Sequence, residues 1–139
     1  MTSDLAPDQR ARVAAAAVAR LATVRPDDSP HLVVVTFALE DDRLVTAIDH
    51  KPKSTHDLQR LRNVAANPAV SVLVDHYEED WSRLWWARGD GQAHVVADGP
   101  EYDRAVALLV AKYGQYREQR PAGPAIIVDI SRWTTWSAA

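Results

Sequence analysis

Apolar and polar positions follow two rhythms along this chain, and the switches between them mark its elements. Over residues 6–20, Val13, Ala14, Ala17, Val18 and Leu21 recur at helical spacing and Pro7 suits a first turn, which predicts a helix from Ala6 to Arg20. A strand rhythm takes over at residues 20–25. The turn-forming Pro26-Asp27-Asp28-Ser29-Pro30 follows, and then the β-rich run His31 to Leu39. A second polar turn at Glu40-Asp41-Asp42 leads into Arg43 to Ile48, so three strands on tight connections predict a β-meander.

Helical spacing returns with Leu58, Leu61 and Ala65 on one face, and Asp57 stands three residues after Ser54 as in a capping box. That helix is expected to end near Asn67-Pro68. Ala69 to Val74 reads as a buried strand, and Trp81 to Val96 as a long β-like run with a bend or hairpin at Gly89-Asp90-Gly91. Asp98-Gly99-Pro100 opens a third helix striped by Tyr102, Ala105, Val106, Leu109 and Tyr113. Arg117 to Gly123 reads as loop, and Ala125–Ile130 and Trp133–Trp136 as two short strands. About six or seven strands with about three interspersed helices imply an α+β, barrel-like antiparallel sheet. With no repeat and no linker, residues 1–139 are expected to form a single domain.

Composition narrows the function classes. A net charge of −3 over 139 residues supplies no broad basic field, which argues against nucleic acid as a partner. The absence of cysteine excludes disulfides, thiolate metal sites and cysteine nucleophiles. No run reads as a signal peptide or a membrane span, so a cytoplasmic protein is expected.

The densest candidate chemistry is His50-Lys51-Pro52-Lys53-Ser54-Thr55, between a strand pattern and a helix start. Two lysines, two hydroxyls and the unpaired N–H groups of a first helical turn suit a phosphate. The competing view is two solvated loop lysines. Among His31, His50, His56, His76 and His94 no pair has metal-ligand spacing, so no metal is expected. Ser54 and Thr55 lack the strained elbow of a nucleophile, and Glu78-Glu79-Asp80 lacks the spacing of a calcium loop.

Taken in order, Leu21-Ala22-Thr23-Val24, Pro30 to Phe37, Lys51-Pro52-Lys53-Ser54, Arg62-Asn63-Val64 with Asn67-Pro68, Val72-Leu73-Val74-Asp75, and Trp81 with Arg88 to Ala93 resemble the pyridoxamine-phosphate-oxidase-like split β-barrel family. The resemblance is strongest to its deazaflavin (F420)-dependent branch. It implies a homodimer with the cofactor in a groove between subunits, its phosphate on Lys51, Lys53, Ser54 and Thr55. By the same matching Val35, Thr36, Phe37, Ile48 and Asp49 would border the ring. Arg62, and less so Arg60, would extend the positive patch toward an acidic tail. The implied activity is hydride transfer from reduced F420 to a small, planar unsaturated or heterocyclic substrate. Lysines where flavin mononucleotide (FMN) relatives favour arginines tilt the expectation to F420. FMN in the same fold is the alternative, followed by a non-catalytic flavin, F420 or haem binder, and then by a dimerisation domain without a pocket. Trp85 and Trp86 fall on opposite strand faces, so one of them is expected at a pocket wall or interface.

Overall fold

The computed structural model describes residues 4–49 and 55–138, with backbone alone at 55–58. In chain order the elements are α1 (Pro7–Ala15), β1 (Ala19–Val24), β2 (Pro30–Val35), β3 (Ala38–Glu40), β4 (Arg43–Ala47), α2 (Thr55–Ala66), β5 (Ala69–His76), β6 (Trp85–Val96), α3 (Gly99–Lys112), α4 (Gly114–Glu118) and β7 (Ala125–Ser137). A single 3-10 turn, Trp81–Arg83, precedes β6. The strands form one antiparallel sheet in the order β2-β1-β5-β6-β7-β4-β3, curled into a split half-barrel of the α+β class. β2 and β3 stand at opposite ends of that order although only Thr36 and Phe37 separate them in the chain.

Burial follows from alternation. Leu21 and Thr23 of β1 and Val70, Val72 and Val74 of β5 point inward, where they pack with Leu44, Ile126, Val128 and Trp133 around the wholly buried Phe37. β4 and β7 are apolar on both faces for a reason: Val45, Ala47, Ala125 and Ile127 turn the other way, onto Ala105 and Leu109 of α3. Each fully buried aliphatic side chain of this kind contributes about 1.5–3 kcal/mol. α2 is fixed differently. Its Asn63 is fully buried, donates to Thr23 Oγ1 at 3.0 Å and accepts from Gln59 Nε2 at 2.7 Å, pinning the helix to β1.

Several elements depart from the expected pattern. α1 stops at Ala15 because Ala19 and Arg20 are drawn into β1, opposite Val35 and Val34, and Ala16 is already extended. The run His31 to Leu39 breaks at Thr36-Phe37 into β2 and β3, which serve opposite sheet edges. No hairpin forms at Gly89-Asp90-Gly91. β6 runs straight through it, and the irregularity is a bulge on β7, where Asp90 faces Arg132, Gly91 faces Ile130 and Ser131 is the extra residue. β7 is accordingly one thirteen-residue strand and not two short ones. Part of the expected loop after Arg117 is helical, as α4. The proposed Ser54–Asp57 capping box lies outside the described side chains.

The tryptophans divide as alternation requires. Trp85 turns toward the core under the Arg12 guanidinium, 5.0 Å from the ring centroid, while Trp86 faces outward with Arg88 5.8 Å above it. No helix among the described residues is long and apolar enough to cross a membrane.

Candidate functional site

Where β2 and β4 end, their last residues and the short segments beyond them enclose a groove of about 270 Å³. One wall is Val34, Val35 and Thr36; the other is Thr46, Ala47, Ile48 and Asp49; Arg60 enters from α2. Beyond β4 the wall is kept extended by backbone pairing with the turn before β7, Ile48 N–H to Pro124 O at 2.9 Å and Ala122 N–H to Asp49 O at 3.0 Å. Val35, Thr46, Ala47 and Ile48 are buried. Thr36 is half-buried, and Asp49 and Val34 stand exposed at the mouth.

Two tyrosines brace this wall from behind. The Tyr116 hydroxyl donates to Asp49 Oδ1 at 2.6 Å and lies 2.8 Å from Thr36 Oγ1, bridging the two sides of the groove. Burial, reinforced by the Asp49 carboxylate, pushes this phenol up to about 12. Tyr113 accepts from Phe37 N–H at 3.0 Å and lies 3.0 Å from Phe37 O and 2.8 Å from Ala17 O. It thereby satisfies the backbone of the residue at which β2 gives way to β3. The two rings meet edge to face, centroids 5.5 Å apart.

The structure brings together Val35, Thr36, Ile48 and Asp49. Phe37, expected at the ring's border, lies elsewhere: at the break between β2 and β3 it enters the core, fully buried, with Lys112 Nζ 3.7 Å from its ring centroid. Arg62 is also displaced. It is exposed and donates to Gln59 Oε1 at 3.2 Å, whereas Arg60, two residues earlier and so on another side of the helix, lines the groove. Lys51, Lys53 and Ser54 lie outside the described residues, and Thr55 opens α2 with its side chain not described. Segment 50–54 does, however, join Asp49 of the groove to the helix that carries Arg60. Sequence reasoning missed Thr46 and Tyr116. A signal for the tyrosine existed in the spacing of Tyr113 and Tyr116, three residues apart after a helix whose stripe ends at Tyr113.

A second hollow, about 460 Å³ and more apolar, lies on the outer face of β2, β1, β5 and β6, lined by Ala22, Leu32, Leu73 and Trp86 among others. Its charges are matched: Arg20 pairs with Asp75 at 2.7 Å, and Arg88 with Asp90 at 3.4 Å. The hollow is a shallow sheet face rather than a cleft. It abuts the groove at β2, where Leu32 faces the one and Val34 the other. Among the described residues no cluster of His, Asp and Glu is arranged to hold a metal.

The family model for pyridoxamine 5'-phosphate oxidase matches residues 5–137. The chain belongs to this family. No curated protein sequence matches this family member. Solved structures with the same fold include a conserved hypothetical protein from Mycobacterium tuberculosis, 19% identical, with a TM-score of 0.76 over 96% of this chain and 86% of that one. A putative 5-nitroimidazole antibiotic resistance protein from Bacteroides thetaiotaomicron aligns at 13% identity and a TM-score of 0.72, over 94% of this chain and 82% of the other. An FAD-binding protein from Mesorhizobium loti aligns at 20% identity and a TM-score of 0.66, over 97% and 95%. At these identities the likeness is one of fold.

Proposed function

We propose that this family member is an oxidoreductase whose groove between the ends of β2 and β4 holds the ring of a flavin-type cofactor. The observation that carries the reading is the groove itself: apolar side chains of Val34, Val35, Ala47 and Ile48 set among polar groups that include Thr36, Thr46 and Asp49, and a cation, Arg60, beside the residues that lead into Lys51-Pro52-Lys53-Ser54. Such a mixed lining suits a flat ring edged with hydrogen-bonding groups. Membership of a family named for an oxidase, and a fold shared with an FAD-binding protein, support the same class of ligand.

Within that class the reading is F420, with Lys51, Lys53, Ser54 and Thr55 on the phosphate and Arg60 toward the acidic tail. FMN is the second reading, favoured by the flavin-binding structural neighbour. Either cofactor, when bound and reduced, supplies a hydride to a small planar substrate. The protein's part is to position the ring and exclude water. A groove this open on one side needs a roof. The outer apolar face abuts it, and that face carries both members of two ion pairs, so it can meet a copy of itself about a two-fold axis. The functional unit is accordingly a cytoplasmic homodimer.

Titration of the purified protein with F420 and FMN side by side tests the assignment. Tighter F420 binding, weakened at least about tenfold by Lys51→Ala with Lys53→Ala through the loss of two charge-assisted contacts, is the expected outcome. Preference for FMN would replace the cofactor. Binding of neither would sink the ring-site reading.

A further inference from the structure

Counting protons around Tyr116 fixes the direction of both of its hydrogen bonds. A phenol has one O–H and a carboxylate has none, so at 2.6 Å the proton goes to Asp49, the stronger acceptor. Only lone pairs of the phenol oxygen remain for Thr36, 2.8 Å away, and the single hydroxyl proton of Thr36 is therefore committed to Tyr116. The chain of donation runs Thr36 to Tyr116 to Asp49 and cannot reverse while Asp49 is a carboxylate. Burial of Tyr116, 6% exposed, keeps water from substituting for either partner.

A threonine hydroxyl in a ligand groove ordinarily serves both ways, turning to donate or accept as the ligand requires. Here it has lost that freedom. Thr36 lines the groove with its proton spent behind the wall, and what it offers a ligand is acceptor capacity alone. We propose that Thr36, polarised by Tyr116 and Asp49, is a specificity-determining acceptor that reads a ring N–H of the bound cofactor, with Tyr116 as its positioning residue. This rests on the reading of the groove as the ring site of a flavin or deazaflavin. In the oxidised rings of FMN and F420 the shared ring N–H is N3–H, which lies between two carbonyls. A ligand that places a carbonyl or a methyl group against Thr36 leaves an acceptor unpaired in a desolvated wall, an arrangement that sites built for hydrogen bonding reject.

The test uses FMN, F420 and the N3-methyl derivative of each, titrated into the unaltered protein and into Thr36→Val, Thr36→Ser and Tyr116→Phe, with circular dichroism to confirm that each variant is folded. The unaltered protein is expected to bind the parent of whichever cofactor it takes at least about tenfold tighter than its N3-methyl form, the scale of one lost hydrogen bond at a desolvated site. Thr36→Val, nearly the same shape without the hydroxyl, brings that ratio within about twofold, and Thr36→Ser restores it. Tyr116→Phe, which frees the Thr36 proton without touching the groove surface, yields an intermediate ratio. A tenfold ratio that persists in Thr36→Val would show steric exclusion of the methyl group and overturn the role of Thr36. A Tyr116→Phe ratio equal to that of the unaltered protein would overturn the positioning role. Failure of both parent cofactors to bind overturns the ring-site reading itself, and this proposal with it.

Discussion

Lys112 shows how one residue can set a pH dependence far from any ligand. Its ammonium rests on the Phe37 ring, 3.7 Å from the centroid, without a hydrogen-bond partner among the described residues. Burial draws its pKa down to about 8 from 10.5. Between those values the unfolded chain holds a proton that the folded protein has released, so the Lys112 contribution to stability rises with pH through this window. Below pH 8 both states are protonated and the desolvation penalty is present in full. Replacement by methionine removes the titration. The thermal midpoint of Lys112→Met relative to the unaltered protein is therefore expected to fall steadily from pH 8 to pH 10.5 and to be flat from pH 6 to pH 7, as melts across that range will read. A difference that does not change above pH 8 would show that the ammonium is as well solvated folded as unfolded. At the same scale the sequence was uneven as a guide to the site. Val35, Thr36, Ile48 and Asp49 were named through the family resemblance and not through their own pattern, and the structure sets them around one groove. Arg60 and Arg62 were not separable, since a helical wheel orders residues around an axis without saying which way the axis faces. The spacing of Tyr116 from Tyr113 hinted at a shared face but not at a role, which arises because α4 folds against Thr36 and Asp49, eighty and sixty-seven residues away in the chain.

Among the elements, the strands that pair with near neighbours were the easiest to read, and those shaped by distant partners the hardest. β1 and β5 alternate cleanly because one face is core and the other is open. The break between β2 and β3 was hidden, because Val35-Thr36-Phe37-Ala38 is β-prone throughout and nothing local demands that the chain change sheet edge there. Ser131-Arg132 looked like an interruption between two strands for the opposite reason: a bulge needs an unpaired residue but not a turn. The glycines opposite it are demanding to different degrees. A Cβ at Gly91 would come within 2.1 Å of the Asp129 carbonyl oxygen, backbone that cannot step aside without breaking the β6–β7 ladder. At Gly89 the first obstacle is the tip of Ile130, 2.9 Å away and able to turn. Gly91→Ala is expected to destabilise the protein by about 3 kcal/mol or more, and Gly89→Ala by about 1 kcal/mol, bracketing the usual range for overpacking. Urea denaturation of the two variants side by side checks this ranking, and equal losses would mean that the bulge relaxes freely.

For the whole molecule, the two unequal hollows divide the work proposed for them. The groove is small, polar at its rim and anchored by tyrosines; the outer face is broad and apolar, with Leu32 67% and Leu73 37% exposed. A monomer leaving such a patch in water would be prone to association, and self-association through it is the proposed resting state. Leu32→Lys with Leu73→Glu places charge on that face without touching the groove lining. Sedimentation equilibrium is expected to find the unaltered protein dimeric and this variant monomeric. Cofactor affinity should fall in step if, as proposed, the partner roofs the groove. A variant that stays dimeric would move the interface elsewhere.

The sheet order carries one more implication, concerning the sequence in which the protein comes into being on a ribosome. β2-β1-β5-β6 and β4-β3 are two separate hydrogen-bonded pieces, and the strand that joins them is β7, which pairs with β6 on one side and β4 on the other. β7 follows all the others in the chain. Until it emerges, the two walls of the groove, one at the end of β2 and one at the end of β4, belong to fragments with no ladder between them. The walls are therefore united in one sheet only when β7 has paired with both pieces. A chain cut short before Ala125 would keep every residue of the groove, and the Tyr116 bridge between Thr36 and Asp49, but not the strand that sets its two walls in one sheet.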